Sequence, residues 1–152
     1  DVAQSTFISS TFWTERIGPT AALKTLEVMG KTKSWEVITH IGIDIGKRWK
    51  ALGDKYQLSI KINGLPSMVG FIIQSEDWLK YKTYITQEML KNNILASNVI
   101  YVCTEHQQLE IDNYFQVLNS IFKVISACES NDMLIDSLLD GPVCHGGFKR
   151  LN

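Results

Sequence analysis

The sequence has only three cysteines, Cys103, Cys128 and Cys144. They are odd in number and widely spaced, which argues against a disulfide framework and makes buried thiols the expectation. Excess charge is also missing. Fifteen basic and 16 acidic residues leave a net charge of -1, so nothing recruits polyanions in bulk, and neither nucleic acid nor an anionic membrane is an expected partner. No charged leader followed by an apolar run opens the chain, and no apolar stretch is long enough to cross a bilayer. The expectation is a protein with no signal peptide and no membrane span, placed in the cytoplasm.

Repeats, low-complexity runs and heptad arrays are absent too. Cys144-His145 has no second ligand pair at zinc spacing, so no metal is expected. Asn63-Gly64-Leu65-Pro66 has too few glycines for a phosphate loop. Gly141-Pro142 and Gly146-Gly147 lack the strand-then-helix context of one, so both stretches read as turns. His106 has no evident partner that would make it a general base, and a capping or surface role is the expectation.

What is present is an ordinary globular composition. Hydrophobic residues make up 45% and charged residues 20% of 152, and a chain of this length buries roughly 70% of its unfolded surface. Pro19 to Met29 is rich in helix formers, with Gly30 as its stop. Its start is open: Thr14 with Glu15 reads as a cap and first turn, and Gly18-Pro19 reads as an alternative beginning. Lys31-Thr32-Lys33 is polar and short, a hinge at which a domain boundary is expected.

From a Ser34 cap, Trp35, Ile38, Ile41, Ile45, Trp49 and Leu52 recur at three and four residues, the period of a helix with one buried face. Ser59 to Ile62 alternates as a strand, Asn63-Gly64 signals a turn, and Met68 to Ile73 reads as the partner strand, with Pro66 lengthening the connection. A helix over 77–91 carries Trp78, Tyr81, Ile85, Met89 and Leu90, and ends at Asn92-Asn93. A third strand spans Leu95 to Val102. The last long helix places Leu109, Tyr114, Leu118, Ile121, Phe122, Ile125 and Cys128 on one face, and a short helix is expected over 133–139. Helix, hairpin, helix, strand, helix makes an α+β fold, a small antiparallel sheet of about three strands covered by helices on one face and preceded by one long connecting helix.

The segment richest in chemistry is Thr6-Phe7-Ile8-Ser9-Ser10-Thr11-Phe12-Trp13-Thr14-Glu15-Arg16-Ile17-Gly18-Pro19-Thr20, which leads into Ala21-Ala22-Leu23-Lys24-Thr25-Leu26-Glu27. A hydroxyl-rich turn running straight into a helix offers side-chain hydroxyls, backbone N–H groups and a positive helix end to an anion such as phosphate. Trp13 lies off any helical period, where an aromatic lines a pocket or a subunit contact. Trp35, Trp49 and Trp78 fall on core spacing. Glu15 beside Arg16 reads as a solvated pair at a helix start, worth about 0.3 to 1 kcal/mol through the helix dipole.

These residues resemble the segment that follows the catalytic lysine in class III, fold type I, pyridoxal-phosphate aminotransferases, especially the glutamate-1-semialdehyde aminomutase-like branch. Gln87-Glu88-Met89-Leu90 with Ile94-Leu95-Ala96-Ser97-Asn98 is similar to the family's small-domain helix and following strand. Glu105-His106 before Ile111-Asp112 is similar to the turn that opens its last helix. The family has Gly at the place of Ser10, Asn-Pro at the place of Glu15-Arg16, and often Thr at the place of Gln107.

The resemblance implies that 1–30 ends a large cofactor-binding domain and its connecting helix, and that 31–152 is the C-terminal small domain. It implies that Ser10 and Thr11 bind the phosphate of pyridoxal phosphate across a homodimer. Trp13, Glu15, Arg16 and Asn98 are then candidates to meet a small amino or keto substrate. The family's Schiff-base lysine and the Asp that pairs with the pyridine nitrogen lie upstream of the matched segment, so the implied activity needs more than these residues. The Lys149-Arg150 tail resembles an extension in relatives with sugar-linked substrates. The competing expectation is a free-standing α+β interaction module that binds a partner protein.

Overall fold

The computed structural model describes residues 15–147. The chain divides into two compact units, Asp1–Ser34 and Trp35–Asn152.

In the first unit the described element is helix α1, Ile17–Thr32. It begins at Ile17 with Arg16 as N-cap, one residue before Gly18-Pro19, and Thr14 lies outside the described residues. The Glu15 carboxylate accepts the N–H groups of Ile17 and Gly18, the latter at 2.8 Å. Pro19, which has no N–H to satisfy, falls in the first turn, and Thr20 N–H bonds Arg16 O at 3.0 Å to start the ladder. The helix does not stop at Gly30. Glu27 pairs with both Lys24 and Lys31, Thr32 Oγ1 donates to Val28 O, and the left-handed residue that ends the helix is Lys33, φ 48°. Salt-bridged turns carry the helix past a glycine that was expected to end it.

The second unit opens with helix α2, Ser34–Lys55. Strands β1, Ile60–Leu65, and β2, Met68–Ile73, follow, then helix α3, Trp78–Lys91, strand β3, Val99–Tyr101, and helix α4, Gln108–Glu129. A 3-10 turn over Ile135–Leu138 closes the sequence of elements. The sheet order is β1-β2-β3, antiparallel throughout. The fold is α+β, as the order of periodic segments implies.

The hairpin turns at Pro66-Ser67 and not at Asn63-Gly64. Leu65 pairs with Met68, Gly64 with Val69 and Asn63 with Gly70, so the expected turn residues sit inside the ladder and the loop has two residues. Gly64 adopts φ 84° there, and a Cβ on it would lie 2.2 Å from Met68 O. Proline cannot donate to a ladder, so the chain reverses at Pro66, and the glycine relieves a close backbone approach two residues earlier.

The third strand has three residues, fewer than the alternating sequence suggests. Asn98 replaces regular pairing at its start: its backbone O accepts Phe71 N–H at 3.0 Å, and its side-chain Nδ2 donates to Phe71 O at 3.0 Å. Val102 N–H bonds Ser67 O at the other end.

One sheet face carries Ile60, Val69, Phe71 and Ile73 into the core, where Trp49, Tyr81, Ile85, Met89, Leu118, Phe122 and Ile125 meet them. Phe71 is the hub, with ring centroids 4.8 Å from Trp49, 5.8 Å from Phe122 and 6.1 Å from Trp78. The other face leaves Leu65, Met68 and Tyr101 exposed in one row. Trp35, Leu90 and Leu109, expected on buried helix faces, are also exposed. Each lies at a helix end, where the apolar stripe has run past its partners.

Helix α2 approaches the hairpin through glycines. Gly42, Gly46 and Gly53 are all buried, and a Cβ on Gly42 would fall 1.8 Å from Pro66 O. After the 3-10 turn the chain runs back along α3. Gln87 donates to Leu138 O and accepts from Asp140 N–H, Thr83 Oγ1 accepts from Cys144 N–H, and Lys80 and Lys91 pair with Asp136 and Asp140.

Candidate functional site

Ser10, Thr11 and Trp13 lie outside the described residues, as do Lys149 and Arg150 of the tail. Glu15 and Arg16 stand at the start of α1, and Asn98 belongs to the second unit.

The helix end that a hydroxyl-rich turn would offer to an anion is already served from within. With Ile17 and Gly18 N–H groups on Glu15, Pro19 without one and Thr20 bonded to Arg16 O, the first turn of α1 presents no free N–H cradle. Glu15 acts as the cap: its carboxylate meets the positive end of the helix. Asn98 spends its amide on the Phe71 peptide, and its Oδ1 accepts from Ser97 Oγ at 3.3 Å.

Within the second unit, a cleft of about 340 Å³ opens between the residues before β3, β3 itself and the first turns of α4. Ile45, Ile111 and Tyr114 are its buried residues, and His106 and Glu110 line it as well. His106 Nδ1 accepts the Cys103 N–H at 3.1 Å. With Nδ1 accepting, the other ring nitrogen, Nε2, is the donor, and His106 braces the turn into α4. Beside it a shallower hollow is lined by His40, Asp44 and the other side of His106. His40 donates through Nδ1 to Glu36 O, one turn back on its own helix.

Tyr114 is buried, and its hydroxyl accepts Trp49 Nε1–H at 3.0 Å. Burial pushes its phenol well above the usual tyrosine range, with the Trp49 bond opposing. Tyr81 rises similarly, first through burial and then through its 2.6 Å bond to Glu129. Neither phenol is tuned for proton transfer near neutrality. On the surface of α4, Arg48 pairs with Asp112 at 2.8 Å and lies 4.2 Å above the Phe115 ring.

Among the described residues no group of three or more His, Cys, Asp or Glu side chains could hold a metal ion, and no helix is long and apolar enough to cross a membrane. The expected burial of all three thiols is corrected. Cys128 is buried, Cys144 is half-buried with Sγ directed at Leu79 O, and Cys103 is exposed beside the His106 turn.

No protein-family model matches the chain, and no curated protein matches it. A solved structure does: the PLP internal aldimine form of the FumI protein of Sphingopyxis sp. MTA144, at 16% sequence identity and a TM-score of 0.70. The match covers 90% of this chain and 34% of that one, so the chain spans about a third of the length of the structure it matches. At this identity the likeness is one of fold.

Proposed function

We propose that this chain is the C-terminal portion of a pyridoxal-phosphate-dependent enzyme, and more finely of a class III aminotransferase or aminomutase working in the cytoplasm as a homodimer. The observation that carries the reading is the fold shared over 90% of the chain with a PLP internal-aldimine structure. Of the residues quoted for the family resemblance, Gln87-Glu88-Met89-Leu90 lie in the last turns of α3 and Glu105-His106 in the turn into α4, while Ile94 to Asn98 precede β3.

In this reading Ser10 and Thr11 bond the phosphate of the partner subunit's cofactor, because the N–H groups at the start of α1 are held by Glu15. By the resemblance, Trp13, Glu15, Arg16 and Asn98 are candidates to meet a small amino or keto substrate. Pyridoxal phosphate, when bound, supplies the electron sink for chemistry at the carbon bearing the substrate nitrogen. The isolated chain is then inactive, since the lysine that anchors the cofactor in the family lies upstream of the matched segment.

The test is absorbance with added pyridoxal phosphate, first on this chain and then with the coding region that precedes Asp1 included. The expected result is no imine band from the chain alone and a full band from the longer product, with Thr11→Ala in that product weakening the cofactor about tenfold, the size of a lost bond to a charged group. Tight stoichiometric binding by the chain alone, or none by the longer product, sinks the reading and favours an interaction module.

A further inference from the structure

The cleft beneath β3 carries an inference that does not depend on the enzyme reading. Tyr114 is 7% exposed as a residue, and its hydroxyl receives the Trp49 indole N–H. Its own hydrogen has no acceptor among the described residues. No buried side-chain polar atom among the described residues lacks a partner, and the Tyr114 oxygen has its own in Trp49, so what is left over is the hydroxyl hydrogen, a donor free to serve a bound acceptor. Tyr114 borders the cleft, whose other buried residues, Ile45 and Ile111, are apolar.

The rim is apolar and wet. Leu95 is 90% and Tyr101 73% exposed, with Val99 beside them. A hollow of about 340 Å³ falls in the size range of small-molecule sites, which combine apolar walls with few polar groups that fix orientation. Here those groups are the Tyr114 O–H in the interior and the Nε2–H of His106, whose other nitrogen is spent on Cys103. Both are donors.

We propose that this cleft is a binding site for a small molecule with an apolar body and a neutral hydrogen-bond acceptor, a ketone in the simplest case, whose oxygen takes the Tyr114 proton while its body displaces water from the Leu95, Val99 and Tyr101 rim. Glu110 at the edge disfavours a carboxylate there, so the acceptor is uncharged.

Acetophenone and ethylbenzene, which share a ring and a two-carbon arm and differ in the carbonyl oxygen, make the test. Both are titrated into the 152-residue chain while the indole N–H resonances are followed by NMR. A saturable shift of the Trp49 signal is expected, with acetophenone binding about fivefold tighter than ethylbenzene, the discrimination one buried neutral hydrogen bond provides. Ala96→Phe, which fills the cleft, and Leu95→Trp, which crowds its rim from an exposed position, should each abolish the shift in a chain that keeps its dispersed spectrum. Tyr114→Phe should bind both probes alike. No saturable shift would mean that water alone fills the cleft and would overturn the proposal. Equal affinities in the unaltered chain, or a shift that survives both blocking variants, would overturn it as well.

Discussion

Gly42 and Gly46 lie one turn apart on the same buried face of α2, yet the structure assigns them opposite tolerances. A Cβ at Gly42 meets backbone, Pro66 O at 1.8 Å, whereas at Gly46 it meets the Ile62 and Val69 methyls at 3.5 and 3.7 Å, ordinary contact. Gly42→Ala should therefore cost about 1–3 kcal/mol through forced separation of helix and turn. Gly46→Ala should be neutral or gain up to about 1 kcal/mol from helix propensity. Urea unfolding midpoints of the two variants check the sign. The tyrosines provide a second test at this scale. Tyr81, Tyr84 and Tyr114 all have phenols raised by burial, and Glu129 adds to the rise at Tyr81 as Glu88 does at Tyr84. A raised phenol means that the unfolded chain loses its proton first, so stability is fully present below the unfolded value near pH 10 and is lost as pH climbs above it. Thermal melts from pH 8 to 11 should show this decline, and Tyr81→Phe, which has no proton to lose, should flatten it.

Among the elements, α4 starts without a side-chain cap from its N-cap residue. Gln107 is its N-cap, extended at φ -77° and ψ 171°, and its side chain makes no capping bond. The helix relies instead on Glu110 in its first turn and on the His106 brace that shapes the turn before it. Gln107→Thr places an acceptor where the N2 and N3 amides need one, and should raise stability by about 0.5–1 kcal/mol, read from the thermal midpoint. The tail after α4 is fastened differently. Its hold on α3 is made of side chains that reach backbone groups, Gln87 to Leu138 and Asp140 and Thr83 to Cys144. Such bonds join residues over fifty positions apart, and no local pattern announces them.

For the whole molecule, α1 is the telling part. It has no buried residue, and Ile17, Leu23 and Leu26 are 81%, 70% and 64% exposed. A helix with this much apolar surface is a contact waiting for a partner, such as a second copy of the chain. The chain should therefore self-associate with rising concentration, and Leu23→Lys with Leu26→Lys should return it to a monomer in sedimentation experiments while leaving the melt of the second unit unchanged. A monomer at all concentrations in the unaltered chain would contradict this.

Local pattern determined the α+β class: the period of the apolar residues announces α2, α3 and α4, a run of helix formers announces α1, and a turn signal followed by an apolar run announces the partner strand Met68 to Ile73. The cap by Glu15 was legible only as a favourable charge near a helix end. Register, close approach and side-chain reach were left to the tertiary structure. Asn63-Gly64 is a turn by local chemistry and a strand by pairing, since Pro66 decides where the chain reverses. Leu95 looks like strand and stands in water, because Asn98 takes over the pairing with Phe71. His106 and Tyr114 border one cleft although eight positions and a helix start separate them. A sequence states which residues are apolar and how often they recur. Which atoms come within bonding distance depends on how the elements pack, and that depends on the whole core at once.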